Sequence, residues 1–136
     1  ARSIAAHSSV ILWETAMNKR AVGNLGEDAA CDALRREGCE ILARNFRRPT
    51  GEIDVVARDR KTVVFVEVKK RSSTRYGSPA EAVNEAKRRR IVRTAALYLA
   101  ENRLDDAPVR FDIVEVLPGE LRHLRAAFDA TDVSEF

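Results

Sequence analysis

Apolar residues along the chain recur first at helical spacing, then in short extended runs, then at helical spacing again. From Asn18 to about Glu37, Val22, Leu25, Ala29, Ala30, Ala33 and Leu34 fall on one face of a helix. Gly38 supplies its stop, because a glycine just past the last turn adopts the left-handed conformation at no steric cost. Gly23 and Gly26 weaken the first turns, and a close backbone approach is the reason to expect them there.

Three strands follow. The first, Cys39 to Asn45, centres on Ile41 and Leu42; Pro49, Thr50 and Gly51 turn the chain; Glu52 to Ala57 forms the second. A turn over Asp59 to Thr62 leads into the third, Thr62 to Lys70. Its uninterrupted Val63-Val64-Phe65-Val66 suits a strand covered on both faces. After a loop from Ser72 to Gly77, Ser78 as cap, Pro79 at the first helical position and Glu81 at the third open a second helix. It is expected to run, with a break near Asn84, to about Asn102, packing Val83, Ile91, Ala95, Tyr98 and Leu99. Strands at Val109 to Val116 and Leu121 to Arg125 flank the turn Leu117-Pro118-Gly119. The order α-β-β-β-α-β-β predicts an α/β domain, a mixed sheet with helices on its faces.

Residues 1–17 fit this pattern poorly. Ile4 to Ala6 and Val10 to Trp13 are apolar, but His7, Ser8 and Ser9 divide them, so the segment lacks the long apolar stretch of a secretory signal. It reads as an extension: an extra helix, a disordered segment or an appended remnant, with Met17 a candidate start of the functional core. The domain proper is placed at 18–128, and 129–136 is a C-terminal tail.

Composition narrows the class. The chain has 136 residues, 45% apolar and 33% charged, which suits one globular domain and excludes a disordered chain. No 18-residue apolar span is present, so no membrane partner is expected. Cys31 and Cys39 make no CxxC and have no further cysteines to complete a zinc site; they read as packed free thiols, which fits a cytoplasmic location. The net charge is only +3, but its distribution matters more. Lys69, Lys70, Arg71 and Arg75 form one cluster, and Lys87, Arg88, Arg89, Arg90 and Arg93 another. Two such clusters fit a polyanion, nucleic acid first; solvated helix and loop faces account for them equally well.

The candidate chemistry lies in Gly51-Glu52-Ile53-Asp54 and Val66-Glu67-Val68-Lys69. Alternation puts Glu67 and Lys69 on one face of their strand. A hairpin centred on Arg60 and Lys61 pairs residues whose numbers sum to 121, so Asp54 stands across from Glu67. Cross-strand Cβ atoms lie about 4.5–5.5 Å apart, and two carboxylates that close repel unless a cation lies between them. Mg²⁺, with waters completing its octahedron, suits such oxygen donors, Mn²⁺ being the alternative. Lys69 beside the metal is suited to positioning a water, assisting its deprotonation or stabilising phosphorane charge. A solvent-exposed Asp–Glu–Lys ladder is the competing reading, and a register slip of one residue removes the pairing altogether.

The chain resembles the YraN (UPF0102) family, bacterial proteins related to the archaeal Holliday-junction resolvases. The resemblance rests on Gly23-Asn24-Leu25-Gly26-Glu27, Asn45-Phe46-Arg47, Gly51-Glu52-Ile53-Asp54, Phe65-Val66-Glu67-Val68-Lys69 and Arg110-Phe111-Asp112, and spans roughly residues 18 to 128. It implies the restriction-endonuclease-like, PD-(D/E)xK core, with Glu27, Asp54, Glu67 and Lys69 as catalytic residues. Glu27, which alone reads as a solvated helix carboxylate, becomes a third acidic ligand beside Asp54 and Glu67, directly or through water. Ile53 stands where the wider superfamily has proline, a departure that many resolvase-like members share. Gly51 reads as a turn glycine, Glu52 as a local ion-pair partner, and Arg110 with Asp112 as a structural pair.

Two functions compete. One is a Mg²⁺-dependent endonuclease acting on branched, flapped or single-stranded DNA, RNA being less favoured. Arg47, Lys70, Arg71, Arg75, Lys87, Arg88, Arg89, Arg90 and Arg93 would hold the backbone without reading sequence. The other is a non-catalytic nucleic-acid-binding protein that keeps the fold; a protein-interaction module with an acidic partner is a third reading. By analogy with resolvases, which cut two strands, a homodimer is left open.

Overall fold

The computed structural model describes residues 7–12, 22–71 and 83–130. In chain order the elements are β1 (His7–Leu12), α1 (Val22–Arg36), β2 (Glu40–Arg48), β3 (Gly51–Asp59), β4 (Thr62–Lys70), α2 (Glu85–Glu101), β5 (Val109–Leu117) and β6 (Glu120–Phe128). Six strands form one sheet in the order β1-β6-β5-β4-β3-β2. Every neighbouring pair is antiparallel except β4 with β5, which run parallel. A parallel pair needs a crossover connection, and α2 lies in it.

The sheet is covered on both faces. Alternation along β4 sends Val64 and Val66 to a core with Ala30, Cys31, Ala33 and Leu34 of α1. It sends Val63 and Phe65 to a second core with Ile91, Ala95 and Tyr98 of α2. Tyr98 meets Phe46 and Phe65 edge to face, at 5.1 and 5.9 Å between centroids, and Phe111 stacks between Phe65 and Phe128. Aromatic pairs in these orientations contribute roughly 0.5–1.5 kcal/mol each beyond their buried area. Both cysteines are buried free thiols, as the sequence suggested.

Local signals explain the element ends. Gly38 sits at φ +92°, and the N–H groups of Gly38 and Cys39 donate to the carbonyls of Arg35 and Leu34, the double bond that closes a helix on a left-handed residue. Gly26 lies against Lys70: an added Cβ would stand 3.0 Å from that side chain's Cε, so what approaches this glycine is a flexible side chain and not the backbone expected there.

Some expectations need correction. Residues 7–12 are an edge strand, paired with β6 from His7↔Arg125 to Leu12↔Glu120, so part of the supposed extension completes the sheet. Strands β2, β3 and β6 run two or more residues past their expected ends, because a turn signal marks where the chain reverses and not where ladder bonds stop. The described helix α2 starts at Glu85, capped by Asn84, whose side chain accepts from the Lys87 N–H at 2.9 Å. The start expected at Ser78 lies outside the described residues.

Candidate functional site

The β3–β4 ladder runs from Asp59↔Thr62 to Val55↔Val66, every pair summing to 121 as the hairpin arithmetic required. It stops one pair short of Asp54 and Glu67. There the Asp54 carboxylate replaces the backbone partner, its Oδ2 accepting the Val68 N–H at 2.8 Å. Glu67 continues the face of Val63 and Phe65, the face that α2 covers. Asp54, Glu67, Gly51 and Glu52 line one small pocket with Lys87, Arg90 and Ile91 from the start of α2. At about 160 Å³ the pocket has room for an ion and its waters, not for a nucleoside.

Glu67 is 7% exposed, and its Oε2 makes no hydrogen bond. The Lys87 ammonium approaches that oxygen to 2.7 Å as an ion pair. Burial, and then the Glu67 carboxylate beside it, push the Asp54 pKa up to about 7. The adjacent Lys87 ammonium, more than burial, lowers the pKa of Lys69. Burial draws that of Lys87 down, but Glu67 and Lys69 raise it on balance. Asp54, Glu67 and Lys87 thus meet in a pocket that one helix turn closes, and Lys69, outside the pocket lining, is perturbed by Lys87 beside it.

Metal ligation can be tested on these atoms. Two oxygen donors meet from adjacent strands, one with an oxygen lacking a hydrogen bond, and that donor set fits a hard divalent cation. Among the described residues no group of three or more His, Cys, Asp or Glu is poised around one point. Glu27, expected as the third acid, is not in the pocket lining. Its Oε1 accepts from Arg44 Nε at 2.9 Å and Asn45 Nδ2 at 3.1 Å. Asn45 holds φ +54°, a left-handed position that asparagine tolerates better than most residues, and this aims its amide at Glu27.

The basic residues divide. Arg88 donates to the Val83 carbonyl at 2.8 Å and lies over the Phe128 ring. Arg89 pairs with Glu85, Arg47 with Glu52, and Arg71 with the buried Glu115 at 2.8 Å. Arg90 lines the pocket and is exposed, as is Arg93 on the helix surface. Lys70 packs against Gly26, and Arg75 lies outside the described residues. The 87–90 run is therefore not one solvated face.

Sequence reasoning placed Lys87 among backbone contacts and missed its place against Glu67. The signal was present: Lys87 lies one turn before Ile91, on the buried face of its helix. A larger apolar groove of about 690 Å³ between α2 and β5–β6 holds Arg110 and Asp129 but no carboxylate pair, so volume does not mark the chemistry here.

The class is an α/β protein: a mixed sheet flanked by helices, with Asp54 and Glu67 on adjacent strands β3 and β4 facing the start of α2. The family described as "Uncharacterised protein family UPF0102" matches residues 26–116, and the chain belongs to it. A UPF0102 protein of Symbiobacterium thermophilum is 52% identical over 106 residues, covering 78% of this chain and 90% of that protein. One from Syntrophotalea carbinolica is 48% identical over 112 residues, 79% and 91% of the two chains. One from Acetivibrio thermocellus is 53% identical over 100 residues, 73% and 77%. No described helix is long and apolar enough to cross a membrane.

Proposed function

We propose that the chain is a divalent-metal-dependent phosphodiesterase of the PD-(D/E)xK type, acting on structured DNA. The observation that carries this reading is the Asp54–Glu67 pair. A buried Glu67 and a half-buried Asp54 brought together on adjacent antiparallel strands, one with an oxygen lacking a hydrogen bond, are costly to keep without a cation. Asp54 and Glu67 would hold Mg²⁺ or Mn²⁺. The small donor number suits Mg²⁺, which commonly takes one or two carboxylates and fills its octahedron with waters and substrate phosphates. When bound, the metal would supply Lewis-acid polarisation of a phosphate and a more acidic water.

The chain's own residues do the rest. Lys69, two residues past Glu67 on the same face, is in place to orient a water or accept its proton, and its lowered pKa favours the neutral amine that proton acceptance needs. Arg90, exposed at the pocket rim, is placed to hold the phosphate backbone, which fixes position and reads no sequence. Asp54, bonded to the Val68 N–H, keeps its carboxylate aimed along the strand ends.

A second reading, a nucleic-acid-binding protein that does not cleave, is favoured by one observation: Glu27 is engaged by Arg44 and Asn45 and is not in the pocket lining. Incubation of the purified protein with duplex, flapped and four-way DNA and with RNA, under Mg²⁺, Mn²⁺ and Ca²⁺, separates the two. Metal-dependent cleavage that disappears in Asp54→Asn supports the nuclease. Salt-sensitive binding with no cleavage under any metal supports the binding protein.

A further inference from the structure

Lys87 occupies a place that helix energetics disfavours. It sits three residues past the Asn84 cap, in the first turn of α2. The positive end of a helix dipole disfavours a cation there. The three cations that follow behave otherwise: Arg88 turns to Val83 and Phe128, Arg89 to Glu85, and Arg90 to the pocket rim. Lys87 instead reaches the buried Glu67 carboxylate, standing 2.7 Å from its Oε2.

We propose that Lys87 is an exchangeable resident cation of the carboxylate pair. Its ammonium neutralises Glu67 and Asp54 when the site holds no divalent ion, and a divalent ion must displace it to bind. The inference rests on the metal-site reading above and adds a regulation to it. The geometry supports exchange over permanent pairing. Glu67 and Lys87 line a pocket of about 160 Å³, so there is room for an ion beside the pair. Lysine carries its charge on a flexible four-carbon stem, so the ammonium can leave without unwinding the helix. It is one-third exposed and so has solvent beside it to move into. Once displaced, it lies with Arg90 at the pocket mouth, where a phosphate would meet both. Metal and polyanion binding are then coupled: a phosphate that holds the displaced ammonium favours the metal, and by linkage the metal favours the phosphate by the same factor.

The test is Mn²⁺ affinity, measured by calorimetry on the full chain without nucleic acid, for the wild type, Lys87→Met and Lys87→Arg. Removing the resident charge should tighten Mn²⁺ binding by roughly 10-fold or more, since the ion no longer competes with an ammonium for Glu67. Lys87→Arg should stay near the wild type. Thermal unfolding gives the second readout. Without metal, Lys87→Met should melt well below the wild type, and saturating Mn²⁺ should restore most of the loss. If Lys87→Met proves unfolded without metal, refolding on Mn²⁺ addition supports the proposal and failure to refold overturns it. Wild type that binds Mn²⁺ with Lys87→Met binding no more tightly overturns the exchange and leaves the metal site standing. Neither protein binding Mn²⁺ overturns both.

Discussion

Two clusters of opposite charges, one on each face of the sheet, are built to different standards. On the α1 face, His123 is fully buried between Asp112 Oδ2 at 2.7 Å and Glu37 Oε1 at 2.6 Å, and these two carboxylates favour the imidazolium, raising its pKa. Arg110 clamps both Asp112 oxygens, at 2.9 and 3.0 Å, the Ala126 N–H adds a bond at 3.0 Å, and Arg125 pairs with Glu37. Every carboxylate oxygen there has a directed partner. On the α2 face, Glu67 Oε2 has none, and Asp54 is pushed to about 7. The first arrangement is what a fold needs, since a satisfied network fixes the ends of α1, β5 and β6 relative to one another. The second is held together under electrostatic tension and so has free energy to gain from a ligand. Perturbed groups in the two clusters thus carry different meanings, and hydrogen-bond satisfaction, rather than the size of any pKa shift, separates them.

The largest expected effect comes from breaking the satisfied cluster. Asp112→Ala strips His123 and Arg110 of their shared partner, and losing one member of a buried pair costs about 3–5 kcal/mol. The melting temperature should fall by roughly 10 °C or more. The pH dependence has two arms. Burial disfavours the charged His123, but Asp112 and Glu37 raise its pKa above 6.5. Its contribution is therefore complete below 6.5 and is lost as pH climbs through the raised value. Burial likewise opposes the charged Asp112, but His123 and Arg110 lower its pKa, so its contribution holds above 3.8 and fades as acid passes the lowered value. Denaturation followed across pH in wild type and Asp112→Ala should show the variant lacking the acid arm and keeping only the part of the His123 arm that Glu37 supplies.

Next in size is the test of the strained cluster as chemistry. Lys69→Met keeps the apolar stem and both carboxylates, so folding and metal affinity should change little. Single-turnover cleavage should fall about 10²-fold. Unchanged cleavage would make Lys69 a bystander.

A smaller effect, opposite in sign to the first, comes from relaxing the same cluster. The folded-state pKa of Asp54 is raised from 3.8 to about 7, so the fold loses stability as pH rises through that range and Asp54 ionises. Asp54→Asn keeps an acceptor for the Val68 N–H and cannot ionise. It should melt a few degrees higher than the wild type at pH 8, with the gain shrinking toward pH 4. A loss of stability at pH 8 would mean that the carboxylate pair is not under tension.

The smallest effect separates the arginines. Arg90→Ala should lower the salt dependence of DNA binding by about one phosphate contact. Arg88→Ala, which removes a bond to Val83 and a ring contact with Phe128, should leave that slope unchanged and register in the melting temperature. Equal slopes for the two would mean that the run acts as an undifferentiated patch.

Local features of the fold were legible in the sequence. Gly38 ends α1 because its signal is contained in a few neighbouring residues, and the Thr62–Lys70 strand follows from one unbroken apolar run. The hairpin register could be worked out because a single short turn fixes it. Strand β1 could not, since its partner lies more than a hundred residues away and its own alternation is weak. The His123 network joins Glu37, Asp112 and Arg125, which no sequence window holds together. Lys87 was visible as charge but not as a neighbour of Glu67, because a basic run hides which of its members faces the sheet. Glu27 was placed in the site by family pattern, and the side chains around it, Arg44 and Asn45, decide its contacts.

The central claim is that the Asp54–Glu67 pair is a divalent-cation site, and the most direct measurement is the Mn²⁺ electron paramagnetic resonance signal on titration into wild type and Glu67→Gln. In the wild type, free Mn²⁺ signal should be lost up to one equivalent per chain, and in Glu67→Gln that loss should disappear while the circular dichroism spectrum stays that of a folded protein. Equal uptake of Mn²⁺ by the two proteins, or none by the wild type, would contradict the account.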